Sequence, residues 1–145
     1  MKRKQFARIF SAQPWYLDGH IITVEVDVAI GRHRFDVVGL ASKAVEESRS
    51  RVGSSLKNCG FGSPKHSNLK TVVSLAPAEM RKDGSYFDVA MALGYMKARG
   101  EIDFDATDKL FLGELSLDGD IGSVRGVLAL VQKARDEGFA HVFVP

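Results

Sequence analysis

A mixed α/β fold is what this sequence predicts, and three observations predict it. Residues 20–30 alternate apolar and polar strictly enough to form a strand with one wet face. Three later stretches switch to helical period, at 42–58, 87–99 and 124–137. Between the last two, Asp118-Gly119 separates short apolar runs, the strongest short-range hairpin signal in the chain. Strands alternating with helices, with hairpins mixed in, argue for an α/β or α+β arrangement around a mixed sheet. At 145 residues this is most economically one domain, long enough to bury a core without disulfides or metal.

Residues 6–12, with Phe6, Ile9 and Phe10, read as the first strand, and 14–19 as a turn in which Asp18-Gly19 reverses the chain. In the strand at 20–30, Ile22, Val24, Val26 and Val28 share the dry face. Gly31-Arg32-His33-Arg34 is a basic loop before a short apolar strand at 35–40. The first helix carries Ala41, Ala44, Val45, Ser48, Val52, Leu56 and Cys59 on one stripe, with Ser42 as N-cap and Gly60 as the left-handed residue that ends it. Glu47 with Arg51, and Glu46 with Arg49, have the order and spacing of surface ion pairs, about 0.2–0.5 kcal/mol each. A loop at 61–67 leads to a strand at 69–75, left through Pro77, which cannot donate to a ladder. The second helix stops at Gly100, and an acidic connector at 103–108 leads into the hairpin at 110–122. The third helix is apolar at Val127, Leu128, Leu130, Val131 and Ala134 and ends at Gly138, before a last strand at 139–144.

Composition excludes several function classes. A hydrophobic content of 45% with 26% charged residues is that of an ordinary soluble domain. Net charge +2 and a pI near 8.7 fall short of a dedicated nucleic-acid module. The single cysteine, Cys59, excludes an internal disulfide and a Cys-rich zinc site and places the chain in a reducing cytoplasm, with Cys59 itself read as packing or bystander. No apolar h-region follows the basic MKRKQ start, and no run reaches membrane-spanning length. The four histidines lack metal-ligand spacing, and Asp118-Gly119-Asp120 is not followed by the ligand series of a calcium loop. No Gly-x-x-x-x-Gly-Lys-[Ser/Thr] occurs, so the chain has no P-loop of its own. The final strand running into Pro145 reads as a cut from a longer chain.

The organising stretch is 81–94, RKDGSYFDVAMALG, where a charged turn runs into a helix apolar on nearly every side, hence a buried one. Arg81-Lys82-Asp83-Gly84-Ser85 is then either an anion or substrate site at a helix N-terminus or a well-made cap. Ser85-x-x-Asp88 has capping-box spacing, which favours the structural reading for Asp83, Gly84, Ser85 and Asp88.

Three segments carry a resemblance: LAPAEMRKDGSYFDVAMALG at 75–94, FLGELSLDGDI with the following VRGVL at 111–128, and DVVGLASKAVEESRSRV at 36–52. In that order they resemble the N-terminal domain of the magnesium-chelatase-like AAA+ ATPases, the ComM/YifB-type competence proteins. The resemblance implies a Lon-peptidase-like, ribosomal protein S5 domain 2-like fold: a mixed sheet packed with about three helices. It implies that residues 1–145 are one such domain preceding an ATPase module beyond residue 145, which would use ATP and Mg2+, with no cofactor in this domain. The complete proteins of the family are hexamers implicated in branch migration of DNA during natural transformation and recombination. "Magnesium chelatase" in that name reflects likeness in the ATPase part and does not imply metal insertion into porphyrin.

The Lon likeness can be laid on the chain residue by residue. Tyr86 falls in the column of the nucleophilic serine and Leu128 in that of the basic lysine, so both members of the dyad are missing and no catalytic residue is assigned. A nucleophile without its base is too weakly activated for peptidase work. Arg32-His33-Arg34 replaces the family's usual Leu-Pro turn, Ser123 its proline, and Tyr86 its usual glycine. What remains is surface charge: Lys2, Arg3 and Lys4 in a basic tail, Arg32 and Arg34 in a loop, Arg81 and Lys82 beside the turn, and Lys57, Lys65 and Arg125 elsewhere. Sharing one face, these would follow a phosphate backbone, while Trp15, Tyr16 and Tyr86 are of the kind that stacks on unpaired bases. The role that the resemblance implies is a non-catalytic accessory domain contacting single-stranded or branched DNA and helping ring assembly. The alternatives are a docking or oligomerisation module without DNA contact and a degenerate peptidase.

Overall fold

The structure is a computed structural model that describes residues 5–62, 64 and 68–145. Its backbone is a long antiparallel hairpin of β1 (Phe6–Trp15) and β2 (Asp18–Ile30), in register from Phe6 opposite Asp27 to Trp15 opposite Asp18. The reversal is made by Tyr16 and Leu17, 91% and 100% exposed, not by Asp18-Gly19 as the sequence predicts. Gly19 has a different reason: a Cβ there would sit 3.0 Å from Lys133 Cβ and 3.1 Å from Leu130 Cδ2 of α4 (Val127–Asp136), which packs against it. Pro14 is tolerated in β1 because it lies past the reach of β5 (Lys109–Phe111), which meets β1 only at Phe10.

Around this hairpin stand β3 (Arg34–Val38), β4 (Leu69–Ala76) and β8 (His141–Phe143), giving a mixed six-stranded sheet in the order β3-β4-β2-β1-β5-β8. β4 is antiparallel to β2, whereas β3, β5 and β8 join through parallel pairs. The expected hairpin at 110–122 divides, its first residues entering this sheet as β5. The turn itself joins β6 (Glu114–Leu115) to β7 (Ile121–Gly122) around Asp118-Gly119, with a longer loop than a two-residue turn. Ser116 closes that loop, its N–H donating to Asp120 O at 2.9 Å and accepting from Gly119 N at its own carbonyl, 3.1 Å.

One face of the sheet holds the main core. Ile22, Val24 and Val26 are fully buried there, as their alternation predicts, beneath α2 (Ser48–Asn58) and α3 (Asp88–Arg99). Gly94 lets α3 lie directly on the strands: a Cβ there would be 2.6 Å from Val26 Cγ2. On the opposite face α4 covers one end through Leu130 and Ala134, against Ala12, Leu110 and Leu112. The rest of that face stays wet, carrying Arg8 paired with Glu25 at 3.6 Å and Arg34 paired with Asp36 at 2.5 Å. α4 starts at Val127, after Gly126, rather than at Val124, and Leu128, expected on its apolar stripe, is 72% exposed.

The single helix predicted over 42–58 is two: a one-turn α1 (Lys43–Glu46) and α2, parted at Glu47. Ser42 caps α1 by accepting from Val45 N at 3.3 Å, and Gly60 ends α2 with a φ of 84°, both as the sequence predicts. The expected side-chain pairs do not form. Arg49 donates to the carbonyls of Glu46 and Phe35, at 3.2 and 3.4 Å. Arg51 turns away from Glu47 to the carboxylate of Asp88, because a buried bidentate partner outweighs an exposed one four residues away.

Candidate functional site

The stretch at 81–94 is assembled from three directions. Gln13 on β1, 3% exposed, donates through Nε2 to Arg81 O at 2.9 Å and accepts at Oε1 from Asp83 N at 3.1 Å, so one amide fixes the backbone on both sides of Lys82. Asp83 Oδ1 accepts from Ser42 Oγ at 2.7 Å and Gly84 N at 2.8 Å, joining the turn to the cap of α1. The Ser42 hydroxyl first, then the Gly84 N–H and the Arg81 charge, hold the Asp83 carboxyl below its usual range. Gly84 takes a φ of 82°, with the Tyr86 ring over it where a side chain would stand.

The expected capping box does not form. α3 starts after Phe87 with no side-chain cap bond. Asp88 is fully buried, its carboxylate gripped by Arg51 Nε at 2.6 Å and Nη2 at 3.1 Å, with Leu115 N donating to Oδ2 at 3.1 Å. The Asp88 bond and charge raise the Arg51 pKa against the opposing effect of burial. Asp88 is a node between α2, α3 and β6 rather than a helix cap.

Lys82 requires the largest correction. Expected on the surface, it is completely buried, and its Nζ donates to Gly39 O at 2.7 Å and to Pro77 O. The cause is local backbone pairing: Lys82 N donates to Leu40 O at 3.1 Å and Ser42 N to Lys82 O at 2.9 Å, a parallel bridge with Ala41. In such extended backbone neighbouring side chains alternate, so Arg81 and Asp83 face out while Lys82 faces in. Burial lowers the Lys82 pKa.

Around Tyr86 two clefts open. One, of about 420 Å3, is lined by Gln13, Pro14, Trp15, Arg81, Asp83, Gly84 and Tyr86. The other, about 230 Å3, is lined by Gly84, Ser85, Tyr86, Glu114, Ser123, Val124 and Arg125. Half-buried Tyr86 forms the wall between them, its phenol pKa raised by burial and by Asp83 against the opposing charge of Arg125. Arg81 thus lines the first cleft and Arg125 the second, with Tyr86 in the lining of both and Trp15, 41% exposed, in that of the first. Asp83 and Glu114 balance the two arginines formally. Arg32 and Arg34 are elsewhere, at the far end of the strands beside Lys70, which lies opposite Arg34. The eight residue steps from Gln5, just before β1, to Gln13 within it separate the two ends by roughly 25 Å. Lys2, Arg3, Lys4 and Lys65 lie outside the described residues.

Residues 24–145 match the family described as subunit ChlI of Mg-chelatase. The chain belongs to that family. Within it, the ChlI-family domain is 38% identical over 139 residues to an uncharacterized protein of Mycobacterium tuberculosis, covering 95% of this chain and 27% of the relative. It is 32% identical over 130 residues to the competence protein ComM of Haemophilus influenzae, and 33% over 118 residues to YifB of Escherichia coli, covering 89% and 81% of this chain. It spans about a quarter of the length of these relatives, 27%, 25% and 23%. No helix among the described residues is long and apolar enough to cross a membrane.

In the ChlI-family domain the two Lon-dyad columns hold Tyr86, wedged between the two clefts, and Leu128, exposed on α4. Tyr86 carries a phenol in place of a serine hydroxyl, and Leu128 has no amine to serve as its base. Among the described residues no group of three His, Cys, Asp or Glu side chains is placed to hold a metal ion. Sequence reading missed Gln13, whose amide organises the turn. Nothing in a polar residue just past the strand predicted at 6–12 announces a partner 68 residues away.

Proposed function

We propose that this domain is a non-catalytic accessory module of a ComM-type AAA+ protein that touches single-stranded or branched DNA beside the motor. The observation that carries the reading is the pair of arginines, Arg81 and Arg125, in two clefts that share Tyr86, with Trp15 exposed in the cleft of Arg81. Guanidinium groups in neighbouring clefts beside exposed aromatics are suited to two phosphates of one strand, with a base stacked on Trp15. The near-neutral balance with Asp83 and Glu114 makes this a weak, guiding contact and not a tight binding site. In the same reading, ATP and Mg2+ belong to a module outside these residues, since the sequence has no P-loop, and the full-length protein works as a cytoplasmic ring, a hexamer as the family resemblance implies.

Fluorescence anisotropy of labelled single-stranded and forked DNA with the full-length protein tests this. Two phosphate contacts on a single strand give a log–log salt slope near −1.4, about a sevenfold loss between about 50 and 200 mM salt. The double variant Arg81→Ala/Arg125→Ala is expected to flatten the slope by that amount, whereas Arg32→Ala/Arg34→Ala, at the other end of the sheet, leaves it in place. Binding without salt dependence, or a double variant indistinguishable from the parent, refutes DNA contact through this site.

A second reading, docking without DNA contact, draws on a different feature: an apolar groove on the helical face.

A further inference from the structure

The β1–β2 hairpin closes through Tyr16 and Leu17, residues that a two-residue turn does not favour. Such turns take Gly, Asn or Asp where φ is positive, yet Tyr16 has a φ of 55°. Tyrosine gives up backbone energy in that region that glycine would not. Neither Tyr16 nor Leu17 packs into either core of the sheet, so folding is not what repays the choice.

The tip is mounted without slack. Strand pairing runs up to Trp15 opposite Asp18. Just behind it, Gly19 lies against Lys133 and Leu130 of α4, and Pro14 Cγ is 3.4 Å from where a side chain on Gly126 would begin. The Asp18 carboxylate is drawn back onto the Gly19 N–H at 2.9 Å. Trp15 joins the tip to the cleft of Arg81, which it lines together with Pro14. Its ring meets the Tyr16 ring at 86°, centroids 5.4 Å apart, and the His20 ring at 82° and 6.3 Å.

The two rings indicate the partner. A stable protein interface draws about 20–30 residues from each side, whereas the tip offers Trp15, Tyr16 and Leu17. A single base stacks on an exposed aromatic ring without a wider surface. Successive bases of one continuous stack have parallel planes, so rings at 86° cannot serve two of them. They fit two bases whose planes have turned apart, as where a duplex opens into single strands. Entering an intact duplex means unstacking it, but at an opening the last base pair already has a bare face. We propose that the hairpin tip caps the last base pair of a DNA duplex at its junction with a single strand. Tyr16 stacks on that pair, while the first unpaired base lies on Trp15 with its phosphate on Arg81. The inference rests on the DNA reading of the clefts and adds the residue that tells a fork from a plain strand.

Fluorescence anisotropy of the full-length protein with a labelled fork, and with its single-stranded arm alone, tests this. Stacking on one ring is worth about five- to 150-fold in affinity, so Tyr16→Gly is expected to weaken fork binding at least about fivefold. Single-strand binding stays as in the parent, and Tyr16→Phe, which keeps the ring, binds the fork as the parent does. Because glycine suits a φ of 55°, the urea midpoint of Tyr16→Gly is expected to be no lower than the parent's. A lower midpoint would make Tyr16 a structural residue and overturn the proposal. Equal losses on fork and single strand overturn it as well. So does a Tyr16→Gly protein that binds the fork normally but sediments as a different oligomer, which would make the tip a contact between subunits. If the salt slope ignores Arg81→Ala/Arg125→Ala, the reading of the clefts falls and this inference with it. A slope that responds to the arginines beside a fork affinity that ignores Tyr16 overturns this inference alone.

Discussion

Replacing Lys82 by Met keeps the length of the side chain and removes its ammonium. Two carbonyl oxygens, of Gly39 and Pro77, then lose their donor in a fully buried place. An orphaned buried acceptor costs about 1–3 kcal/mol. Part of that is returned, because methionine brings no charge to desolvate and adds an apolar terminus. The net expectation is a loss of about 2–3 kcal/mol, which in a domain of this size corresponds to a fall in Tm of roughly 4–12 °C. Urea titration of the variant beside the parent reads this directly as a lower midpoint at unchanged slope. The pH dependence adds a sign. Burial lowers the folded-state pKa of Lys82, so in the alkaline range up to about 10.5 the unfolded chain binds more protons at this site. The parent therefore gains stability relative to Lys82→Met as pH rises through that window. DNA affinity of the folded fraction is expected to be unchanged. A variant as stable as the parent, or one equally stable but deficient in DNA binding, would refute the buried-lock account and return Lys82 to the surface.

The remaining predictions concern the same framework. Arg51→Met leaves the buried Asp88 carboxylate with only the Leu115 N–H, a loss of about 3–5 kcal/mol by chemical denaturation; a cost below about 1 kcal/mol would show that the pair is not needed. Gly94→Ala drives a methyl into Val26 and is expected to cost about 1–3 kcal/mol although alanine is the better helix former, so a stabilised variant would contradict the packing. For Asp83→Asn, the parent's advantage is present above about pH 4, where the unfolded carboxyl ionises, and disappears as pH falls through the depressed folded pKa. An acid-unfolding profile identical in both proteins would remove the Ser42–Asp83 link from the account.

Much of the fold was legible because it follows from periodicity. The period-two run Ile22-Val24-Val26-Val28 marked the buried face, and the glycines at 60, 100 and 138 marked helix ends. The errors share a cause: a local pattern was overridden by a distant partner. Asp18-Gly19 has turn chemistry, yet its glycine serves the approach of α4. Arg51 has an i,i+4 acid, yet Asp88 lies within reach only after α2 and α3 pack. Ser85-x-x-Asp88 has cap spacing, yet Arg51 takes the carboxylate. The candidate site was half readable. Arg81 and Arg125 were picked out as charges, but their placement in two clefts that share Tyr86, and the separation of Arg32 and Arg34 to the other end of the sheet, depend on strand order, which no local window contains.

The Asp88 node also has a consequence in time. Its carboxylate holds Arg51 of α2 and the Leu115 amide of β6 from the first turn of α3, so α3 cannot open without releasing both partners. Hydrogen exchange should therefore find the Leu115 amide, in a strand of two residues, among the slowest in the chain, exchanging together with the amides of α3 as one cooperative unit. The apolar groove over Leu93, lined from α2, α3 and β6, belongs to that unit, whereas the cleft lined by Gln13, Trp15 and Arg81 lies outside it.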